Sequence, residues 1–279
     1  MSPYAALTPS QRLHLDIFGY VLIENVFSTE EVKRLRETLY AIEARYIETG
    51  ECPYPSSHFS STTQECFRVD NLPHIAQPFF DYVTHPRLVA MAEEITGGKV
   101  RLEQSDAHIR RPLEQPPAPG QYGFHRGINP GFSYIRNGLF HFTFVKTLTN
   151  LTDLEPGDGG TTVIPGTHKI TDEVNQAAIV QAAMEDPRLI HEVSAPAGST
   201  LLFYEALIHA SGVIRSGKDR SLIIAGYTPT MFQAWHGYDP DAAFLATLSD
   251  EHRALLSGER KYGWDRTLRK LETEEAPVS

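Results

Sequence analysis

The segment Phe140-His-Phe-Thr-Phe-Val-Lys-Thr-Leu-Thr-Asn-Leu-Thr-Asp153 alternates apolar and polar side chains. This two-residue period is typical of a strand in a sheet that has one buried face. Three later runs, at 191–194, 200–204 and 222–227, and one earlier run, at 100–109, are predicted to be strands as well. The central and C-terminal parts of the chain are therefore predicted to be mainly β.

Helices are predicted chiefly at the N-terminal end. Thr8 and Ser28 each begin a capping box, in which the residue three positions later is Gln or Glu. Further helices are predicted at 73–84, at 86–96, at 172–184 and twice after Pro240. The sequence therefore predicts one α+β domain over residues 1–279, with a mainly β, barrel-like core and helices at both ends.

Two segments are predicted to lie outside this core. Residues 49–72 are rich in Ser, Thr, Pro and Gly and have no periodicity, which predicts a loop that covers a pocket as a lid. Residues 232–279 are predicted to form a helical C-terminal extension. The two cysteines of the chain, Cys52 and Cys66, are too few for a disulfide scaffold, although a single bridge is an alternative to two free thiols.

The composition argues against several classes of protein. A hydrophobic fraction of 41% in 279 residues is ordinary for a globular chain. The net charge of −10 argues against a nucleic-acid duplex as partner, because phosphate binding requires a concentrated basic surface. We read no signal peptide and no long apolar run, so we expect a cytoplasmic protein without a membrane partner. The glycine and histidine patterns of serine hydrolases, zinc proteases and nucleotide-binding folds are absent.

Two histidines far apart in the sequence lie beside these predicted strands. His125 occurs in Gly123-Phe-His-Arg-Gly127, His209 occurs in Ile208-His-Ala-Ser211, and Arg220 follows eleven residues later. Two neutral imidazoles at strand ends commonly hold a first-row metal, and an arginine is a two-pronged donor for a carboxylate. Since the chain has 12 histidines, the residues alone leave open structural histidines and a surface arginine.

Further stretches carry a resemblance to a known family. Leu7-Thr-Pro-Ser-Gln11 leads into Gly19-Tyr-Val-Leu-Ile-Glu-Asn-Val26, and Gly157-Asp-Gly-Gly-Thr-Thr-Val-Ile-Pro-Gly-Thr-His-Lys169 follows the central strands. Together with the histidine, serine and arginine of 209–220, they make residues 7–230 resemble the phytanoyl-CoA dioxygenase group of iron(II)/2-oxoglutarate oxygenases. The resemblance implies a double-stranded β-helix (jelly-roll, cupin-like) core, with iron(II), 2-oxoglutarate and O₂ as cofactors.

The resemblance also implies roles for individual residues. His125 and His209 would be the iron ligands, and Arg220 would hold the distal carboxylate of 2-oxoglutarate. Four more residues fall at or near positions that line the cosubstrate pocket: Ser211, Thr162, Arg68 and Asp106.

The chain departs from the family at one iron ligand. The family has His-x-Asp followed by a distal histidine, whereas this chain has His125-Arg126-Gly127. Glycine has no side chain to bind iron, and the resemblance here is to iron/2-oxoglutarate halogenases, in which a small residue makes room for chloride. Arg126 beside the site would favour the entry of an anion.

Three hypotheses follow from Gly127. The first, which we favour, is a halogenase that chlorinates a C–H bond of a small metabolite. The second is a hydroxylase or related oxygenase with a two-histidine iron site or a carboxylate from elsewhere, for which Asp106 and Asp158 are the candidates. The third is a non-catalytic binding protein of the same fold. The presence of both histidines and of Arg220 argues against the third, because a site without chemistry does not need them.

The identity of the substrate is not determined by these patterns. Arg110 and Arg111 end a predicted strand and are candidates for holding a phosphate or carboxylate of a small-molecule substrate, with a solvated strand end as the alternative. A carrier protein that delivers the substrate would leave no signature of this kind.

Overall fold

The computed structural model describes residues 6–52, 54, 63, 65–115, 123–136, 139–171, 174–233 and 238–259. The helices are α1 Pro9–Phe18, α2 Thr29–Thr49, α3 Gln77–Val83, α4 Pro86–Thr96, α5 Gln176–Glu185, α6 Ala242–Ala246 and α7 Asp250–Ser257. The strands are β1 Tyr20–Ile23, β2 Cys66–Asp70, β3 Val100–Arg110, β4 Ser133–Arg136, β5 Leu139–Phe142, β6 Val145–Asn150, β7 Thr161–Val163, β8 His191–Val193, β9 Thr200–Tyr204, β10 His209–Ser211 and β11 Arg220–Pro229.

Both predicted capping boxes are confirmed. The Thr8 hydroxyl accepts from the Gln11 backbone N–H, and the Gln11 side chain accepts from the Thr8 N–H; Ser28 and Glu31 form the same pair at α2. Each of these two helices ends at a glycine in the left-handed conformation, which spares the residue the strain that a side chain would meet. Local sequence therefore sets both ends of α1 and α2.

The described strands form two main sheets and one hairpin. The large sheet has the order β1-β9-β6-β11-β3-β2, and all of its neighbouring strands are antiparallel. The small sheet has the order β10-β7-β8, and β4 pairs with β5 alone. This mixed helical and antiparallel architecture confirms the predicted α+β class, and within the described part of the chain the two sheets do not close into a barrel.

The two faces of the large sheet are covered differently. Ile223 and Ala225 of β11 belong to the core that the helices share, and α4 contacts β3, β6 and β11. Leu222, one residue earlier, packs instead with Val163 and Val193 of the small sheet. Because successive side chains of a strand point to opposite faces, the large sheet lies between a helical layer and the small sheet.

The structure corrects two predictions about element boundaries. The strand predicted over 139–153 is divided into β5 and β6. Thr143, between them, donates from its N–H and hydroxyl to the Phe132 carbonyl and belongs to neither strand. The lid predicted over 49–72 contains strand β2, which pairs with β3. Residues 53, 55–62 and 64 of that segment lie outside the described residues.

Two smaller predictions also have an outcome. Both cysteines are free. Helices α6 and α7 lie in the predicted C-terminal extension, of which residues 234–237 and 260–279 are not described. Within the described chain, no helix combines the length and the apolar character that a membrane crossing requires.

Candidate active site

His125 and His209 face each other across an isolated backbone bridge. The N–H of each donates to the carbonyl of the other, with both N···O distances at 2.9 Å. The two ring centroids are 4.4 Å apart. The structure therefore brings together the two histidines that the sequence analysis selected.

Backbone carbonyls also determine which nitrogen of each ring is available to bind a metal. Nδ1 of His125 lies 3.0 Å from the Gly123 carbonyl, and Nδ1 of His209 lies 2.8 Å from the Leu207 carbonyl. A carbonyl accepts only from a protonated nitrogen, so Nδ1 of each ring is engaged by the backbone and Nε2 is the nitrogen left to bind a metal. Burial, and then the charge of His125, lower the pKa of His209 to about 3, so His209 is neutral at pH 7. A pair of imidazole Nε2 atoms fits a first-row metal such as iron.

The two histidines open onto a cavity of about 200 Å³ between the sheets. Its walls include ionisable side chains from five different strands or strand ends: Arg68, Asp106, Lys146, Glu205 and Arg220. Burying this many ionisable groups between two sheets costs free energy unless the groups pair with one another or with a ligand. The cavity therefore has the character of a binding site for charged groups.

Arg220 is buried in the wall of this cavity, with only 1% of its surface exposed. Its guanidinium donates to the Gly159 carbonyl at 2.5 Å and to the Thr161 hydroxyl at 2.9 Å. Among the described residues no carboxylate forms an ion pair with it, and its Nε is buried without a partner. Burial and the nearby charge of Arg110 lower the pKa of Arg220 to about 9. A buried cation of this kind fits a ligand carboxylate.

The other residues implied for the cosubstrate pocket divide into two groups. Ser211 lines the cavity, whereas Thr162 is buried and does not. The neighbouring Thr161 lines the cavity instead, since alternate residues of β7 point to opposite faces. Arg68 and Asp106 both line the cavity and form an ion pair, with 3.3 Å between Nη2 and Oδ1.

Two predicted residues lie outside the cavity. The Arg126 guanidinium donates to the Ile170 carbonyl at 3.1 Å, so it is directed away from the two histidines. This placement does not support its predicted role in anion entry. Asp158 accepts from the Glu155 N–H at 2.9 Å and lies 3.5 Å from Lys218 Nζ, which makes it a turn-stabilising residue.

The space beside Gly127 is filled by a residue that the sequence analysis missed. The Gly127 N–H donates to the Glu205 carbonyl at 3.0 Å, and a Cβ built on Gly127 would overlap the Glu205 carboxylate, with Cδ at 2.6 Å. The predicted open chloride niche is therefore occupied by a side chain. The available signal in the sequence was a carboxylate directly after a strand and four residues before His209.

Glu205 lies in a strongly charged but poorly hydrogen-bonded position. Its Oε2 is buried and has no hydrogen-bond partner among the described residues. Burial raises the pKa of Glu205 to about 7, against the opposing effect of Lys146. Lys146 itself donates to Glu103 at 2.5 Å and to Gln104 at 2.6 Å. As these side chains stand, no three His, Cys, Asp or Glu residues of the described chain form a complete metal cluster.

A second cavity, of about 320 Å³, adjoins the first and shares His125 and Ser211 with it. Arg110 and Arg111 line this second cavity. Arg111 is held by Glu43, with N···O distances of 2.7 and 2.8 Å. Arg110 forms no ion pair with any described residue.

Comparison with known proteins identifies the family. The profile of the phytanoyl-CoA dioxygenase (PhyH) family matches residues 15–222, which is most of the chain. The chain belongs to the phytanoyl-CoA dioxygenase family. It is therefore an oxidoreductase of the dioxygenase type.

The relatives found by sequence comparison have low identity to this chain. A probable alpha-ketoglutarate-dependent hypophosphite dioxygenase of Stutzerimonas stutzeri is 27% identical over 241 residues, which cover 81% of this chain and 79% of the relative. An uncharacterized protein of Mycobacterium tuberculosis is 22% identical over 220 residues, covering 78% of this chain and 74% of the relative.

Solved structures share the fold. HygX from Streptomyces hygroscopicus, determined with nickel and 2-oxoglutarate bound, superposes with a TM-score of 0.66 at 22% identity, over 82% of this chain and 90% of HygX. SnoK, a non-heme alpha-ketoglutarate-dependent carbocyclase from nogalamycin biosynthesis, has a TM-score of 0.60 at 17% identity, over 89% of this chain and 94% of SnoK.

Proposed function

We propose that this protein is an iron(II)/2-oxoglutarate-dependent oxygenase that hydroxylates, or otherwise oxygenates, a small anionic molecule. The observation that carries the proposal is the placement of His125, His209 and the buried Arg220 around one cavity. When bound, iron(II) would supply the coordination positions at which O₂ is reduced, with the electrons coming from the oxidative decarboxylation of 2-oxoglutarate and from the substrate.

The chain's own residues would divide the remaining work. The Nε2 atoms of His125 and His209 would hold the metal, since both Nδ1 atoms are engaged by backbone carbonyls. Arg220, oriented by Thr161, would hold the carboxylate of 2-oxoglutarate that lies away from the metal. Ser211, at the border of the two cavities, would contact the cosubstrate or the substrate.

Oxygenation is favoured over halogenation by the packing at Gly127. A halide on the metal would require free space beside this residue, and the Glu205 carboxylate fills that space. A negatively charged carboxylate beside the metal would also repel a chloride ion. We therefore do not include chloride among the proposed cofactors.

An anionic substrate is supported by the adjoining cavity. The Arg110 guanidinium lines the same cavity as His125, and it has no ion-pair partner among the described residues. The distant relative of Stutzerimonas stutzeri is named for hypophosphite, which is a small anion. Guanidinium groups bind phosphate and carboxylate oxygens in the same two-pronged manner, so a phosphorylated or carboxylated substrate fits the second cavity.

Anaerobic titration of iron(II) and 2-oxoglutarate into the purified protein tests the proposal. We expect the visible charge-transfer band of the iron–2-oxoglutarate complex to appear and to be insensitive to added chloride. The Arg220→Gln variant should bind iron(II) as the parent does but require about 100-fold more 2-oxoglutarate, since it loses a charge-assisted contact. A band that shifts with chloride would favour the halogenase, and absence of any band would favour a non-catalytic protein.

A further inference from the structure

Residues 127 and 205 are brought to the same point by the pairing of two chain segments. His125 and His209 exchange two backbone hydrogen bonds, and Gly127 donates to the carbonyl of residue 205. Gly127 lies two positions after one histidine, and Glu205 lies four positions before the other. A side chain from either residue would therefore enter the same space beside the two imidazoles.

That space holds one side chain and not two. A Cβ on Gly127 would lie 2.6 Å from both Cγ and Cδ of Glu205, which is well inside van der Waals contact. Since φ of Gly127 does not lie in the left-handed region, the glycine is not required by the backbone conformation. The glycine is required by the volume of the Glu205 side chain.

The charges around Glu205 point to a cation as its missing partner. Its buried Oε2 accepts no hydrogen bond within the described chain, although Glu205 lines the same cavity as His125 and His209. Lys146 is engaged by Glu103 and Gln104. A carboxylate oxygen that is buried without a hydrogen-bond donor, beside two imidazole rings, is stabilised by a metal ion.

We infer that Glu205 supplies the carboxylate ligand of the iron site in place of a carboxylate at position 127. The inference rests on the proposed function and deepens it, because it completes a set of two histidines and one carboxylate from three separate places in the sequence. The Glu205 side chain has three rotatable torsions with which its carboxylate can turn toward the two imidazoles across the shared cavity. Gly127 is then the residue that makes room for this ligand, and not a site for a halide.

Iron(II) affinity measured without turnover tests the inference. We expect Glu205→Gln to weaken anaerobic binding of iron(II) at least about tenfold, since a carboxylate ligand becomes a neutral amide. The visible spectrum of the cobalt(II)-substituted protein should change at the same time. Glu103→Gln is the matched control: it removes a buried carboxylate next to the same Lys146 but outside the cavity, and it should leave the iron(II) affinity within about threefold.

A double variant separates ligation from simple packing. Glu205→Ala should lose iron(II) affinity, and Glu205→Ala combined with Gly127→Asp should regain most of it, because a carboxylate returns to the site from the other chain segment. Gly127→Asp alone should bind iron(II) no better than the parent, since the new side chain collides with Glu205. Near-ultraviolet circular dichroism of every variant checks whether the fold is retained. If an alanine variant does not fold, the isosteric Glu205→Gln still tests the inference.

The outcomes distinguish the inference from the proposed function. Unchanged iron(II) affinity and an unchanged cobalt(II) spectrum in Glu205→Gln would overturn the inference while the proposed function stands. A double variant no better than Glu205→Ala would also count against it. Failure of the parent protein to bind iron(II) at all would instead overturn the proposed function.

Discussion

The two faces of the large sheet are built from alternate residues of the same strands, yet they have opposite chemical character. On the face toward the helices, β11 presents Ile223 and Ala225 to an apolar core. On the other face the same strand presents Arg220, Leu222 and Ile224 to the cavity. The helical face stabilises the fold by burying apolar surface, whereas the cavity face carries buried charges that cost stability and are suited to binding a charged ligand. Substitutions on the two faces should therefore fail in different ways.

The largest expected effect is on the cavity face. His209→Ala should lower turnover at least about 1,000-fold, equivalent to about 4 kcal/mol, because one of the two proposed imidazole ligands is lost. The urea concentration at which half of this variant is unfolded should remain close to that of the parent. His191→Ala, an exposed histidine on β8, is the control and should keep full activity. Turnover by His209→Ala near the parental rate would remove this histidine from the metal site.

The helical face should show the reverse pattern. Ile223→Ala should lower the free energy of unfolding by about 3 kcal/mol, because a fully buried side chain leaves a cavity in the core. The adjacent Ile224→Ala, on the cavity face and only partly buried, should cost about 1 kcal/mol. Urea unfolding measures both. Equal losses of stability would contradict the assignment of neighbouring residues to opposite faces.

Buried histidines outside the metal site should make stability depend on pH. His141 forms no ion pair with any described residue, its Nδ1 lies 3.0 Å from the Ile95 carbonyl, and burial lowers its pKa to about 4. Because the folded pKa lies below the value near 6.5 of an unfolded histidine, the unfolded chain binds more protons, and stability falls as pH falls from about 6.5 to about 4. Above pH 6.5 His141 has no effect on this dependence.

The loss of stability due to His141 should be at most about 3 kcal/mol over this range. Urea unfolding at several pH values measures it, and His141→Gln should reduce the slope, since glutamine does not titrate. A slope in this variant as steep as in the parent would assign the acid sensitivity to other groups.

The smallest expected effect compares adjacent residues of β7. Thr161→Val removes the hydroxyl that orients Arg220 and should raise the KM for 2-oxoglutarate about fivefold, equivalent to about 1 kcal/mol. Thr162→Val, directed away from the cavity, should leave that KM unchanged. A larger effect at Thr162 would restore the assignment made from the sequence and shift the proposed cosubstrate contacts by one residue.

Part of the site was predictable because short sequence patterns mark some of its residues. The two histidines and Arg220 stand in distinctive local patterns, and the structure places all three around one cavity. Thr162 was selected in place of Thr161 because a motif indicates a strand but not which of two adjacent residues points inward. Arg126 was selected because it follows His125 in the sequence, although the hydrogen bond from its guanidinium to the Ile170 carbonyl directs its side chain away from the two histidines.

Sequence alone determined the capped ends of α1 and α2 and the α+β class, since each depends on patterns of residues that are close together in the chain. The two histidines lie far apart in the sequence, and the resemblance to the family singled them out. Only the tertiary structure decided that the predicted central strand divides between two sheets and that Glu205 fills the space beside Gly127. The physical reason is that this space belongs to two segments separated by more than seventy residues, and the backbone pairing of His125 with His209 determines which side chain occupies it.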